Sequence, residues 1–148
     1  KGRMASVAYH LFHQLQNNGS MRLFKGTDGY GDGEQRRDFI YVKDVVKVNL
    51  FFLDNPGVSG VFNCGTGRSQ TFNKLAKAAE QAMGFGKLEY IEFPEALKGK
   101  YQNFTEADMT QLRRVGYTES FADLNAGVAD YYYYLKQYGG YLSRNTGR

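Results

Sequence analysis

The chain is poor in several features that announce particular classes of protein. It has a single cysteine, Cys64, in 148 residues, so no disulfide can form within it. Its two prolines, Pro56 and Pro94, both stand where an element is expected to stop. No apolar run approaches the roughly 18 residues that a membrane-spanning helix needs. No basic start leads through an apolar stretch to a small-residue cleavage site. These absences argue against a disulfide scaffold, a membrane span and a secretory leader, and the cytoplasm is the expected location. Positive charge is not concentrated either. The net charge is +4, but the basic residues are scattered with no long Lys/Arg block, which speaks against a nucleic-acid partner. A mildly basic surface equally suits a small ligand bearing a diphosphate.

A dinucleotide fingerprint is also missing. Gly65-Thr66-Gly67 begins like one, but the third glycine is due at position 70, which is Gln70. The turn reads as a tight strand-to-helix connection and not as a cofactor loop. Cys64, beside it in Val61-Phe62-Asn63-Cys64, reads as a packed strand thiol.

What is present is an ordinary balance of 42% hydrophobic and 23% charged residues, enough for a domain with a core. Met4, Val7, Ala8, Leu11, Phe12 and Leu15 recur at three and four, which predicts a helix over residues 4–18 stopped by Asn17-Asn18-Gly19. Met21 to Phe24 reads as a short strand. Residues 26–36 hold four glycines and read as a loop, flexible unless it closes over something. Asp38 to Val42 predicts a strand, then a helix capped by Asp44 and ended by Asn55-Pro56-Gly57. Val58 to Cys64 predicts another strand. Thr71 caps a helix over residues 72–83, and Leu88 to Phe93 reads as a strand closed by Pro94. Thr105-Glu106-Ala107-Asp108 resembles a capping box opening a helix that runs to about Arg114. The last helix is expected from Phe121 to Tyr138. Helices alternating with short strands make an α/β chain, with too few strands in βαβ order for a self-contained doubly wound fold. Residues 1–138 read as one α/β portion and residues 139–148 as a flexible tail.

Among candidate site residues, His10 and His13 stand at a spacing that can chelate a metal, but no third ligand follows and no metal site is read. His13 is expected at the surface. Arg36-Arg37-Asp38 ends the glycine-rich loop, where a guanidinium can clamp a phosphate bidentately; Asp38 is expected to orient the arginine or the backbone. Tyr131 to Tyr134 reads as core packing plus surface coverage on the last helix, and tyrosine is enriched at interfaces.

Four segments occur in fixed order: Lys1-Gly2-Arg3-Met4-Ala5-Ser6-Val7-Ala8, Arg37-Asp38-Phe39-Ile40-Tyr41-Val42-Lys43-Asp44-Val45, Phe62-Asn63-Cys64-Gly65-Thr66-Gly67 and Lys98-Gly99-Lys100-Tyr101-Gln102. Together they resemble the carboxyl-terminal half of the extended short-chain dehydrogenase/reductases. The first, and the last taken from Phe93-Pro94 through Leu97 to Gln102, are similar to the branch of that family that epimerises ADP-heptose. The likeness runs from Lys1 to about Tyr134. It implies an α/β substrate-binding part with trailing elements of an NAD(P)-binding Rossmann-type fold, the first Rossmann half being absent. The chain is therefore read as part of a longer polypeptide. The parent enzyme would bind NADP mainly through the missing half and invert C6 of ADP-D-glycero-D-manno-heptose, for the inner core of lipopolysaccharide.

The same likeness implies roles for individual residues. Lys1 would act as an acid/base facing a tyrosine of the missing half, and would touch the cofactor. The substrate would meet Arg3, which departs from a small polar residue, together with His10, Phe24, Lys25, Gly26, Thr27, Arg37 and Tyr101. Phe24 would be an apolar wall, Lys25, Gly26 and Thr27 would offer backbone groups, and Arg37 would hold the diphosphate. The implied partners are an ADP-sugar, the missing half in cis or in trans, and further copies in a homo-oligomer. The chain alone is expected to be inactive. Two other readings are another nucleotide-sugar epimerase or dehydratase, acting on a UDP- or GDP-sugar, and a non-catalytic nucleotide-sugar binding module.

Overall fold

Ser6 starts the first helix. Its hydroxyl accepts the Tyr9 amide at 3.3 Å, satisfying a donor that no helical carbonyl can reach. The helix, α1 (Val7–Asn18), ends at Gly19, whose φ of +67° is a left-handed conformation suited to glycine. The chain continues through β1 (Ser20–Phe24), β2 (Arg36–Arg37), α2 (Val42–Asp54), β3 (Gln70–Thr71), α3 (Phe72–Met83), β4 (Lys87–Ile91), a 3₁₀ turn at Glu95–Leu97, α4 (Thr110–Arg114) and α5 (Leu124–Tyr138). This computed structural model describes residues 5–139.

One core joins three helices to a strand pair. Leu11, Phe12 and Leu15 of α1 meet Leu75, Ala76 and Ala79 of α3, Val128, Tyr132 and Leu135 of α5, and Met21 and Leu23 of β1. Each large side chain removed from water there contributes about 1.5–3 kcal/mol. β1 pairs in parallel with β4, Met21 opposite Leu88 and Leu23 opposite Tyr90. A parallel pair needs a long crossover, and α2 and α3 lie within it. β2 pairs antiparallel with β3, Arg36 opposite Thr71. A second cluster of Val48, Leu112, Tyr117 and Phe121 holds α2 against α4 and the segment before α5.

Several sequence expectations are corrected. Neither residues 38–42 nor residues 58–64 form a strand. A strand needs a neighbour to take its amides and carbonyls, and among the described residues none lies beside them. Asp38 instead donates its amide to the Thr105 hydroxyl at 3.3 Å, and Val61 is 96% exposed. That hydroxyl, engaged with Asp38, does not cap a helix, and α4 begins only at Thr110. Asp44 lies inside the first turn of α2 and is buried. Its carboxylate accepts the Ala122 amide at 2.8 Å and pairs with Lys47 at 3.0 Å, tying α2 to the α5 approach. Thr71 does cap α3, accepting the Lys74 amide at 3.1 Å. The last helix starts at Leu124 with Asp123 as its cap, while Phe121 joins the second cluster. Met4 and the expected tail from residue 140 onward lie outside the described residues.

Candidate functional site

The centre of the site is an internal carboxylate. Asp38 Oδ1 accepts from the Thr66 amide at 2.8 Å and the Thr66 hydroxyl at 2.6 Å. Its Oδ2 accepts from the Gly67 amide at 2.9 Å and the Ala107 amide at 3.1 Å. Burial alone would raise its pKa, but the bonds from Thr66, Ala107 and Gly67 outweigh that and hold it below the ordinary carboxylate value. Asp38 thus orders backbone, as one of the two roles expected of it. Its neighbour Arg36 is fixed as well, through Nε to Ser69 Oγ at 3.0 Å and Nη2 to the Ser69 carbonyl at 2.7 Å.

Arg37 faces the other way. Its guanidinium carbon lies 4.9 Å from the centre of the Tyr101 ring and 5.7 Å from that of Phe72, cation–π distances. Among the described residues no carboxylate pairs with it; its one described hydrogen bond runs to the Arg36 carbonyl at 2.9 Å. Phe24, at the end of β1, stands edge-on to Phe93 at 5.3 Å and to Tyr101 at 6.4 Å, and Phe93 meets Tyr101 at 5.4 Å. Burial pushes the Tyr101 hydroxyl pKa up, and Arg37 partly offsets this. Three separated segments thus bring an unpaired guanidinium to a patch of aromatic rings. Phe93 was not anticipated, although it opens the Phe93-Pro94 step beside the segment that carries Tyr101.

The glycine-rich loop is closed upon itself. The Gly26 amide donates to Asp32 Oδ1 at 2.8 Å, and a Cβ on Gly26 would lie 2.0 Å from the Tyr30 carbonyl. Asp28 adopts a left-handed φ of +54° and accepts from Asn103 Nδ2 at 2.8 Å, tethering the loop to the strip that holds Tyr101. Lys25 donates its amide to the Ile91 carbonyl and Thr27 accepts from the Tyr30 amide, while the Lys25 carbonyl accepts from Gln35. Several backbone groups expected to serve a ligand at Lys25, Gly26 and Thr27 therefore bond within the chain, because the loop uses them to hold its own shape. The Lys25 ammonium pairs with Glu92. His10 lies on α1, half-buried, its ring 5.9 Å from Tyr9. Lys1 and Arg3 lie outside the described residues.

Residues 1–65 match the NAD dependent epimerase/dehydratase family. Over 131 residues the chain is 54% identical to the ADP-L-glycero-D-manno-heptose-6-epimerase of Alkalilimnicola ehrlichii, covering 88% of this chain and 41% of that protein. The crystal structure of the Helicobacter pylori enzyme of the same name superposes with a TM-score of 0.74 at 26% identity, over 91% of this chain and 39% of that one. The UDP-glucose 4-epimerase of Thermotoga maritima gives a TM-score of 0.70 at 28% identity, over 90% of this chain and 40% of that one. The chain shares its fold with part of the extended short-chain dehydrogenase/reductases. The chain spans about two-fifths of the length of these relatives.

Enzymes of this fold bind a nicotinamide dinucleotide, and the Gly65-Thr66-Gly67 turn does not fit its diphosphate. The Thr66 and Gly67 amides already serve Asp38, and a Cβ on Gly65 would meet Ala107 Cβ at 2.5 Å and Asp38 Oδ2 at 2.6 Å. The turn is tight against its own protein. A Tyr-x-x-x-Lys spacing, the pattern of the family's catalytic pair, does occur at Tyr132 and Lys136. It is structural. Tyr132 is buried, burial raises its pKa, and its hydroxyl donates to the Ala8 carbonyl at 2.9 Å. Lys136 Nζ donates to the Ala82 carbonyl at 3.2 Å. His13 is not a surface residue either: its ring packs 4.3 Å from Tyr9, and its Nε2 is buried with no hydrogen-bond partner among the described residues. Cys64 is half-buried outside any strand, and burial raises its thiol pKa, which disfavours the thiolate that a nucleophile needs.

Proposed function

We propose that this chain is the carboxyl-terminal, substrate-binding part of an ADP-heptose 6-epimerase. The parent enzyme would invert C6 of ADP-D-glycero-D-manno-heptose to the L-glycero form for lipopolysaccharide inner-core synthesis in the cytoplasm. The observation that carries this reading is the meeting of Phe24, Arg37 and Tyr101, three residues drawn from separate segments, at one surface where a guanidinium with no carboxylate partner among the described residues lies beside aromatic rings. A planar cation beside ring faces suits a diphosphate joined to a nucleoside. The 54% identity to an ADP-heptose epimerase supports the ADP-sugar over a UDP- or GDP-sugar.

In this reading Arg37 binds the diphosphate and Phe24 and Tyr101 flank the nucleoside, with His10, Lys25, Gly26, Thr27 and Arg3 as further substrate contacts. Lys1 is the acid/base and touches the cofactor, NADP, which the remainder of the enzyme holds. Its chemistry is a transient oxidation at the sugar carbon. The remainder would pack, in cis or in trans, over an apolar face of this chain. Val42, Val46, Leu50 and Leu53 recur along one side of α2, all about half exposed or more, a stripe that a helix in water does not favour. The assembled enzyme is expected to form a homo-oligomer.

Calorimetric titration of the chain with ADP-glucose, UDP-glucose and GDP-mannose tests the reading. ADP-glucose should bind best. Arg37→Lys, which keeps the charge but loses the planar fork, should weaken binding about 10–100-fold, the worth of a charge-assisted contact. Preference for UDP-glucose would favour another nucleotide-sugar enzyme. Binding without epimerase activity when the uncovered part of the Alkalilimnicola ehrlichii enzyme is supplied in trans would favour a non-catalytic module.

A further inference from the structure

The loop over residues 26–34 separates Phe24 from Arg37, so its shape sets their spacing. Its glycines make it costly to fix, because they have the most conformational freedom to lose. Strong anchors are therefore required, and most come from one residue. Asn73, in the first turn of α3, donates its backbone amide to the Gly33 carbonyl at 3.0 Å. Its side-chain Nδ2 donates to the Asp32 carbonyl at 2.9 Å and to the Glu34 carboxylate. Its Oδ1 accepts from the Tyr90 hydroxyl at 2.9 Å. Both amide hydrogens and the amide oxygen are thus engaged. Gly33 lies flat against this amide with φ +67°, and a Cβ there would fall 2.1 Å from Asn73 Oδ1.

These anchors act on both sides of the site. The Gly33 amide donates to the Phe24 carbonyl at 3.1 Å, and the Phe72 amide donates to the Gln35 carbonyl at 3.1 Å. Phe72, next to Asn73, carries one of the two rings under the Arg37 guanidinium. Tyr90 sits opposite Leu23 in the strand pair. A helix asks nothing of this position that alanine could not give better, so the choice of a fully used amide points to the loop.

We propose that Asn73 is a positioning residue for the nucleotide-sugar site, clamping the loop so that Phe24 and Arg37 keep the separation that an ADP-sugar requires. It touches no ligand itself. The proposal rests on the ADP-sugar reading above. Asp in its place would keep the acceptor for Tyr90 but lose both donors and set a second carboxylate against Glu34.

The test uses the full chain and two readouts: titration with ADP-glucose, and amide hydrogen exchange followed by NMR. Asn73→Ala and Asn73→Asp should each weaken ADP-glucose binding about tenfold. Exchange at the hydrogen-bonded amides of Gly33 and Glu34 should accelerate while Ala79 in the core keeps its protection. Tyr90→Phe, which spares the two side-chain N–H bonds, should give a smaller loss, and it remains informative should Asn73 variants fold poorly. Wild-type affinity in Asn73→Ala overturns the proposal. Unchanged exchange at Gly33 overturns the clamp whatever the binding shows. A wild-type chain that binds no ADP-glucose overturns the functional reading instead, while exchange at Gly33 still decides the clamp.

Discussion

Tyr101 and Tyr132 are the same residue type in opposite employment. Tyr101 keeps one face toward an unpaired guanidinium. Tyr132 is sealed in the core and bonded to a backbone carbonyl. A Tyr132→Phe variant should lose about 1 kcal/mol, the net worth of one hydrogen bond, in urea unfolding. Gly65→Ala should cost more, about 1–3 kcal/mol, because the new methyl would press on Ala107 and on the Asp38 carboxylate. At this scale the sequence singled out Arg37 and Tyr101, which sit in distinctive motifs and meet in the fold. Asn73 and Asn103 were not singled out, because their significance lies in side-chain partners 17 to 75 residues away (Asn103 with Asp28, for instance) that no local pattern signals. His13 misled for another reason: Tyr9 and Phe12, the rings packed on it, are near in sequence, but a polar ring by itself gives no sign of them.

Among the elements, the long helices declared themselves by apolar spacing at three and four, and the caps Thr71 and Gly19 fell where expected. The two-residue strands β2 and β3 are too short for alternation to show. The expected strands at residues 38–42 and 58–64 have strand-like composition without a strand beside them. The junction that replaces them is held by Asp38, and it makes stability depend on pH. Its pKa is depressed in the folded chain, so its contribution is complete above the unfolded value of about 3.9. It is lost as pH falls through the lower folded value. Asp38→Asn should therefore lower the melting temperature at pH 7, and the gap from wild type should begin to narrow as the pH drops below about 3.9 and close only below the lower folded value. A gap that persists into strong acid would mean that packing, and not charge, accounts for the role of Asp38.

Across the whole molecule, one side is well packed and the other is not. The α1–α3–α5 core is closed, whereas α2 presents Val46, Leu50 and Leu53 outward and Val61 stands almost fully exposed. Leu50→Lys combined with Leu53→Glu should leave the melting temperature nearly unchanged and raise solubility. The same pair should abolish complementation by the remainder of a related enzyme; thermal unfolding, sedimentation and an epimerase assay in trans would read the three effects. The closed side has a further consequence, in the timing of folding. The Tyr132–Ala8 bond joins residues 124 apart, and the first helix cannot complete its packing until the last has been made. At a synthesis rate of about 5–20 residues per second, α1 waits roughly 6–25 s for its partner. Contacts this distant in sequence are the slow ones to form, so α1 exposes Leu11, Phe12 and Leu15 on the ribosome for longer than any other apolar segment of the core.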